Sequence, residues 1–62
     1  MKLGDLKTGQ KGKIVLSTPR LEEMGIIEDL EFMVVEQGGT IIIEFSKTRF
    51  AIRNSDVEVE KI

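Results

Sequence analysis

The side chains able to do chemistry in this chain are few and of one kind. Its 62 residues include no histidine and no cysteine. That excludes imidazole acid–base work, thiolate nucleophiles, disulfides and transition-metal sites rich in nitrogen or sulfur. What remains is acidic: Glu22, Glu23, Glu28, Asp29 and Glu31 crowd one stretch. Carboxylate oxygens at that density suit a weakly held, hard divalent cation. The same residues also serve as a solvated face that complements a helix dipole, and this is the reading preferred. The run "GQKGK", Gly9 to Lys13, has two glycines and a lysine. It lacks the spacing and the following helix of a phosphate-cradling loop, so a surface turn before a strand is expected. No serine can pair with a histidine, since the chain has none. Catalytic residues, a resident cofactor and metal ligands are therefore all assigned as none.

Bulk properties narrow the partners. Eleven acids against nine bases give a formal charge of −2 and a pI of about 5.0. Nucleic-acid modules usually carry a basic surplus that displaces counterions from phosphate, so no nucleic acid is expected. No apolar run is long enough to span a bilayer and no signal-peptide core follows "MK", so direct membrane insertion is not expected either. The missing cysteines fit a cytoplasmic address. A chain of this length reads as one domain, residues 1–62, near the lower limit for folding without a staple; it buries only roughly 60% of its extended surface.

The elements that position these residues are short. Leu3 and Leu6 precede a turn-rich "KTGQKG", and an apolar run Ile14–Val15–Leu16 makes a strand from about Gly12 to Ser17. Then comes "STPRLEEMGI". Thr18 suits an N-cap, Pro19 the first helical position, and Gly25 a left-handed stop. Two turns fall far below the ~12–15 residues that an isolated helix needs. Leu21 and Met24, three apart on one face, are expected to anchor it by packing.

The remainder reads as a meander. A two-residue turn at Gly38–Gly39 pairs Gln37 with Thr40 and Val34 with Ile43, placing Phe32, Val34, Ile41, Ile43 and Phe45 on one face. A second at Lys47–Thr48 pairs Phe45 with Phe50 and Ile43 with Ile52, so that all three phenylalanines meet inside. Val57 and Val59 alternate with Glu58 and Glu60 in a last strand. The fold class that results is mainly all-β: a small SH3-like five-stranded barrel, closed against exposed edges, with one short helix between strands 1 and 2. Met33, Val35 and Ile42 fall on the other face with Glu44. Arg53 is placed opposite Ile42, with Glu44 diagonal to it. The short helix or the Leu3/Leu6 segment is expected to cover these apolar residues, the other reading being a partner-binding patch with a polar rim.

The order Leu3, Leu6, Gly9, Gly12, Ile14, followed by "RLEEMGI" (Arg20 to Ile26), resembles the FeoA family. "EFMVVEQ", the "III" strand and "FAIR" (Phe50 to Arg53) continue the likeness across the chain. The most specific part is the arginine–leucine–x–glutamate–methionine–glycine run at its distance after the paired glycines. The resemblance implies an SH3-like barrel without enzymatic activity: a cytosolic accessory protein of bacterial Fe2+ uptake. Its partner would be a FeoB-type membrane transporter with a GTP-binding domain, met by protein–protein contact on the cytosolic side. Two departures stand out. Many members carry Pro-Gly where this chain has Glu28–Asp29, so an aspartate must form the turn into the second strand. The connection "LSTP" is also shorter than in many relatives.

The contact surface is placed on the helix, its flank and the apolar outer face: Leu21, Glu22, Met24, Gly25, Met33, Val35, Ile42 and Arg53. That apolar face also allows weak self-association. Two alternatives come from other classes. One is the SH3-like regulatory domain of an iron-dependent transcriptional repressor. The first motif starts directly after Met1 with no DNA-binding helices, which favours a free-standing protein. The other is a generic small-barrel peptide binder; with no Trp and no Tyr, the chain lacks the aromatic groove used for proline-rich ligands.

Overall fold

A computed structural model describes every residue, Met1–Ile62. After a single 3-10 turn at Leu3–Asp5, the elements are β1 (Lys11–Leu16), α1 (Pro19–Glu23), β2 (Glu31–Gln37), β3 (Ile41–Phe45), β4 (Thr48–Ile52) and β5 (Glu58–Lys61). The five strands make one antiparallel sheet in the order β4-β3-β2-β1-β5. The sheet curls around an apolar interior to give the small SH3-like barrel.

Closure differs from expectation. β4 and β5 are the two ends of the sheet and do not pair with each other. The β5 end is covered instead by Met1 and Lys2. The Met1 amino group donates to the Val59 carbonyl at 3.0 Å, the Val59 N–H donates back to the Met1 carbonyl at 2.9 Å, and Lys2 bridges to Glu58.

The β2–β3 hairpin reaches the expected pairing by an unexpected route. Val34 does lie opposite Ile43, but Gln37 pairs with Ile41, so the loop has three residues, Gly38 to Thr40. A bulge at Val35 absorbs the difference. It also keeps Glu36 off the inner face, where strict alternation after Val34 would place a carboxylate among apolar side chains.

The β3–β4 turn sits one position earlier than expected, at Ser46–Lys47. A type I′ two-residue turn needs positive φ at both central residues; Ser46 and Lys47 have φ of 50° and 63°. β-Branched Thr48 resists that conformation and begins the strand instead. Sliding the turn by one shifts the pairing by two, so Ile43 faces Phe50 and Ile41 faces Ile52. A shift of two preserves which face each side chain occupies, and Ile52 is buried as expected. Phe45 and Phe50 become diagonal neighbours, with rings stacked at 5.3 Å.

The interior is aliphatic rather than aromatic. Twelve buried side chains form it, among them Leu3, Leu6, Ile14, Ile26, Ile43 and Val59; of the phenylalanines only Phe32 is fully buried. Phe45 and Phe50 lie half-buried at its margin. The expected filling by three phenylalanines is thus corrected to one.

Candidate interaction surface

The chemistry of the α1 segment explains its position. The Thr18 hydroxyl accepts from the Leu21 N–H at 3.3 Å, and Pro19 opens the helix. At the other end, the Gly25 N–H donates to the Glu22 carbonyl and the Ile26 N–H to the Leu21 carbonyl, both at 3.0 Å. With Gly25 at φ 96°, this is a Schellman stop, and its characteristic apolar contact joins Leu21 to Ile26 in the core. Those bonds fix the helix with Leu21 turned inward. Met24 turns outward, 43% exposed against 7% for Leu21. Of the two expected anchors, only Leu21 holds the helix to the barrel. The helix stops at Glu23, so Met24 is its C-cap, and the chain is already turning away there.

Between α1 and the end of β4 lies a cleft of about 290 Å3. Leu21, Met24, Ala51 and Ile52 supply its apolar surface. Thr18, Arg20, Arg53 and Asp56 supply its polar surface. Asp56 is committed to the β4–β5 turn: its carboxylate accepts from the Arg53 N–H at 3.1 Å, and its own N–H donates to the Arg53 carbonyl at 3.0 Å. The ion pairs of the fold are Lys2–Glu58 at 3.8 Å and Arg49–Glu44 at 3.2 Å. Arg20 and Arg53 belong to neither. The cleft therefore brings two arginines outside any ion pair together with the apolar side chains of Leu21, Met24, Ala51 and Ile52.

The structure divides the expected contact residues. Leu21, Met24 and Arg53 come together in this cleft; Glu22 and Gly25 flank it on α1 without lining it. Arg53 is not beside Ile42, which faces Ala51 in the observed register. Met33, Val35 and Ile42 stay half-buried on the outer face of the sheet. Leu3, Leu6 and Leu21 all point into the core, so the covering expected from them does not occur. Met33 lies instead between its cross-strand neighbours Lys11 and Glu44. The polar rim there is the Glu44–Arg49 pair, not Arg53. Thr18, Arg20, Ala51, Ile52 and Asp56 were not expected in the surface. Nothing local marks them, because the cleft joins segments about thirty positions apart in sequence. No three acidic residues converge on a shared position, since Glu22, Glu23, Glu28, Asp29 and Glu31 spread over the helix, the turn and the start of β2.

The glycine stop after α1, Gly12 buried in β1 and the five-strand order are now in view together. A FeoA domain family model matches residues 1–59. The chain belongs to the FeoA family. Neither curated proteins nor solved structures give a match to it. FeoA proteins are small accessory domains associated with ferrous-iron transport systems and are not known as enzymes, and membership gives this chain that accessory role. The Leu30 N–H donates to the Ile27 carbonyl at 3.1 Å, closing a turn with Glu28 and Asp29 at its centre. Asp29 adopts φ 71°, so the aspartate does form the turn into β2, as expected. No helix of this FeoA domain is long and apolar enough to cross a membrane.

Proposed function

We propose that this chain, acting as a single unit over residues 1–62, is a non-enzymatic cytosolic regulator of a FeoB-type ferrous-iron transporter. It works by contact with the transporter's cytosolic side, with Fe2+ as the transporter's cargo. The observation that carries this reading is the α1–β4 cleft. It combines exposed Met24, further apolar side chains and two arginines outside any ion pair, a mix that suits a contact surface. The Thr18 hydroxyl and the Asp56 carboxylate that line it are each bonded to a backbone N–H, of Leu21 and Arg53, and not to each other.

The test is an amide chemical-shift titration of the labelled chain with the soluble GTP-binding domain of the same organism's FeoB-type transporter, with and without a GTP analogue. Shifts confined to Arg20–Ile26 and Ala51–Asp56 are the expected result. An unchanged spectrum at saturating domain removes direct contact with that domain. Shifts centred on Met33, Val35 and Ile42 move the contact to the outer face of the sheet.

A further inference from the structure

The two ends of the sheet are not equivalent, and the difference identifies a ligand. The β5 end is occupied by Met1 and Lys2. The β4 end is open. In an antiparallel ladder, pairs that exchange hydrogen bonds alternate with pairs that do not, and a two-residue turn closes on an exchanging pair. Phe45–Thr48 closes this turn, so Thr48, Phe50 and Ile52 bond inward to β3. Arg49 and Ala51 aim their N–H and C=O groups outward. No turn, loop or side chain bonds to any of those four groups. The open edge runs directly into the α1–β4 cleft, because Ala51 belongs to both.

Charge selects the occupant. The chain is acidic overall, yet all three of its arginines, Arg20, Arg49 and Arg53, lie along β4 or across the cleft from it. Lys47 stands at the near end of the strand. A second copy fits poorly. Antiparallel pairing of two β4 strands centred on Phe50 sets Lys47 of one copy against Arg53 of the other, and centring on Ala51 sets Arg49 against Arg53; like charges directly opposite destabilise a ladder.

We infer that the free edge of β4 takes up an extended acidic segment of a partner protein as a sixth strand. Backbone groups of Arg49 and Ala51 bond that segment. Its carboxylates fall on the face that Arg49, Ala51 and Arg53 share and reach Arg20 across the cleft, and its alternate apolar side chains fall on the other face beside Phe50 and Ile52. The transporter reading enters this inference only as the source of the segment.

The probe is an end-blocked nine-residue peptide of alternating valine and glutamate, compared with its lysine counterpart and with a version N-methylated at alternate backbone nitrogens. Binding is read by amide hydrogen exchange and chemical shift. The glutamate peptide is expected to slow exchange at Arg49 and Ala51 about tenfold and to shift Arg20, Met24 and Arg53, while the other two peptides do neither. Reversing the charges with Arg20→Glu and Arg53→Glu should transfer binding to the lysine peptide. Arg20→Gln with Arg53→Gln should abolish preference between the two, and serves if the reversed pair does not fold. Unchanged exchange at Arg49 and Ala51 under saturating glutamate peptide overturns the inference. So does an equal response to the lysine peptide. Slowing that grows with protein concentration and no peptide assigns the edge to a second copy and also overturns it. Peptide binding without response to the transporter domain sinks the transporter reading alone. A domain response that leaves Arg49 and Ala51 exchange unchanged sinks the strand-addition inference alone.

Discussion

Gly12 lies directly opposite Phe32 across the β1–β2 ladder, and the phenyl ring occupies the space a side chain at position 12 would need. A Cβ built there comes 2.8 Å from the ring's Cζ and 2.8 Å from Leu6 Cδ1, with the Glu60 carbonyl oxygen at 3.1 Å. The missing side chain of Gly12 thus lets the one fully buried aromatic ring meet the N-terminal turn and β5 together.

Gly12→Ala should therefore cost about 1–3 kcal/mol, the range for overpacking a close-packed core. Urea unfolding reads this as a lower midpoint at an unchanged slope. A midpoint equal to that of the parent chain contradicts the packing described.

Gly25→Ala should cost about 1–2 kcal/mol, because an alanine must take the left-handed conformation that the Schellman stop requires. Nothing lies within 4 Å of a Cβ at Gly25, so the whole effect is conformational. Gly39 has equally open surroundings without positive φ, and Gly39→Ala is the control. The two midpoints should separate; coincident values remove conformational strain as the reason for Gly25.

The turn at Ile27–Leu30 offers a gain. Glu28→Pro with Asp29→Gly places the ring at the position whose φ it presets and relieves the left-handed aspartate. A stabilisation of up to about 1 kcal/mol is expected from the double variant, read as a raised thermal midpoint. A lowered midpoint shows that the Asp29 side chain contributes more than its backbone conformation costs.

Leu21 and Met24 should part company. Leu21→Ala removes a buried anchor and is expected to cost about 2–5 kcal/mol, a large share of the stability of so small a domain. Met24→Ala should stay within about 0.5 kcal/mol of the parent and weaken partner binding in the titration. Equal destabilisation by both places Met24 in the core after all.

Local rules made several parts of this molecule legible. Thr18, Pro19 and Gly25 state a capped, stopped helix by residue type alone, because a hydroxyl cap and a left-handed stop are properties of a few consecutive residues. The inner face of the hairpins was equally legible. Side chains alternate with period two, so Phe32, Val34, Ile41 and Ile43 stay together even where a turn is misplaced by one position. The register at the turns was not legible. It depended on whether Ser46 or Thr48 accepted positive φ, and on a bulge at Val35 whose purpose appears only once Glu36 has an inside to be kept from.

Neighbouring residues and a two- or three-residue period were enough for the strand and helix inventory and most of the core, and the order of motifs along the chain was enough for the resemblance to the FeoA family. Only the tertiary structure decided which surface is open. The exposure of Met24, the company of Arg20 and Arg53, and the free groups of Arg49 and Ala51 all depend on how α1 packs against a strand about thirty residues later. Nor does any local pattern record that Met1 and Lys2 cover one end of the sheet while the other is left bare.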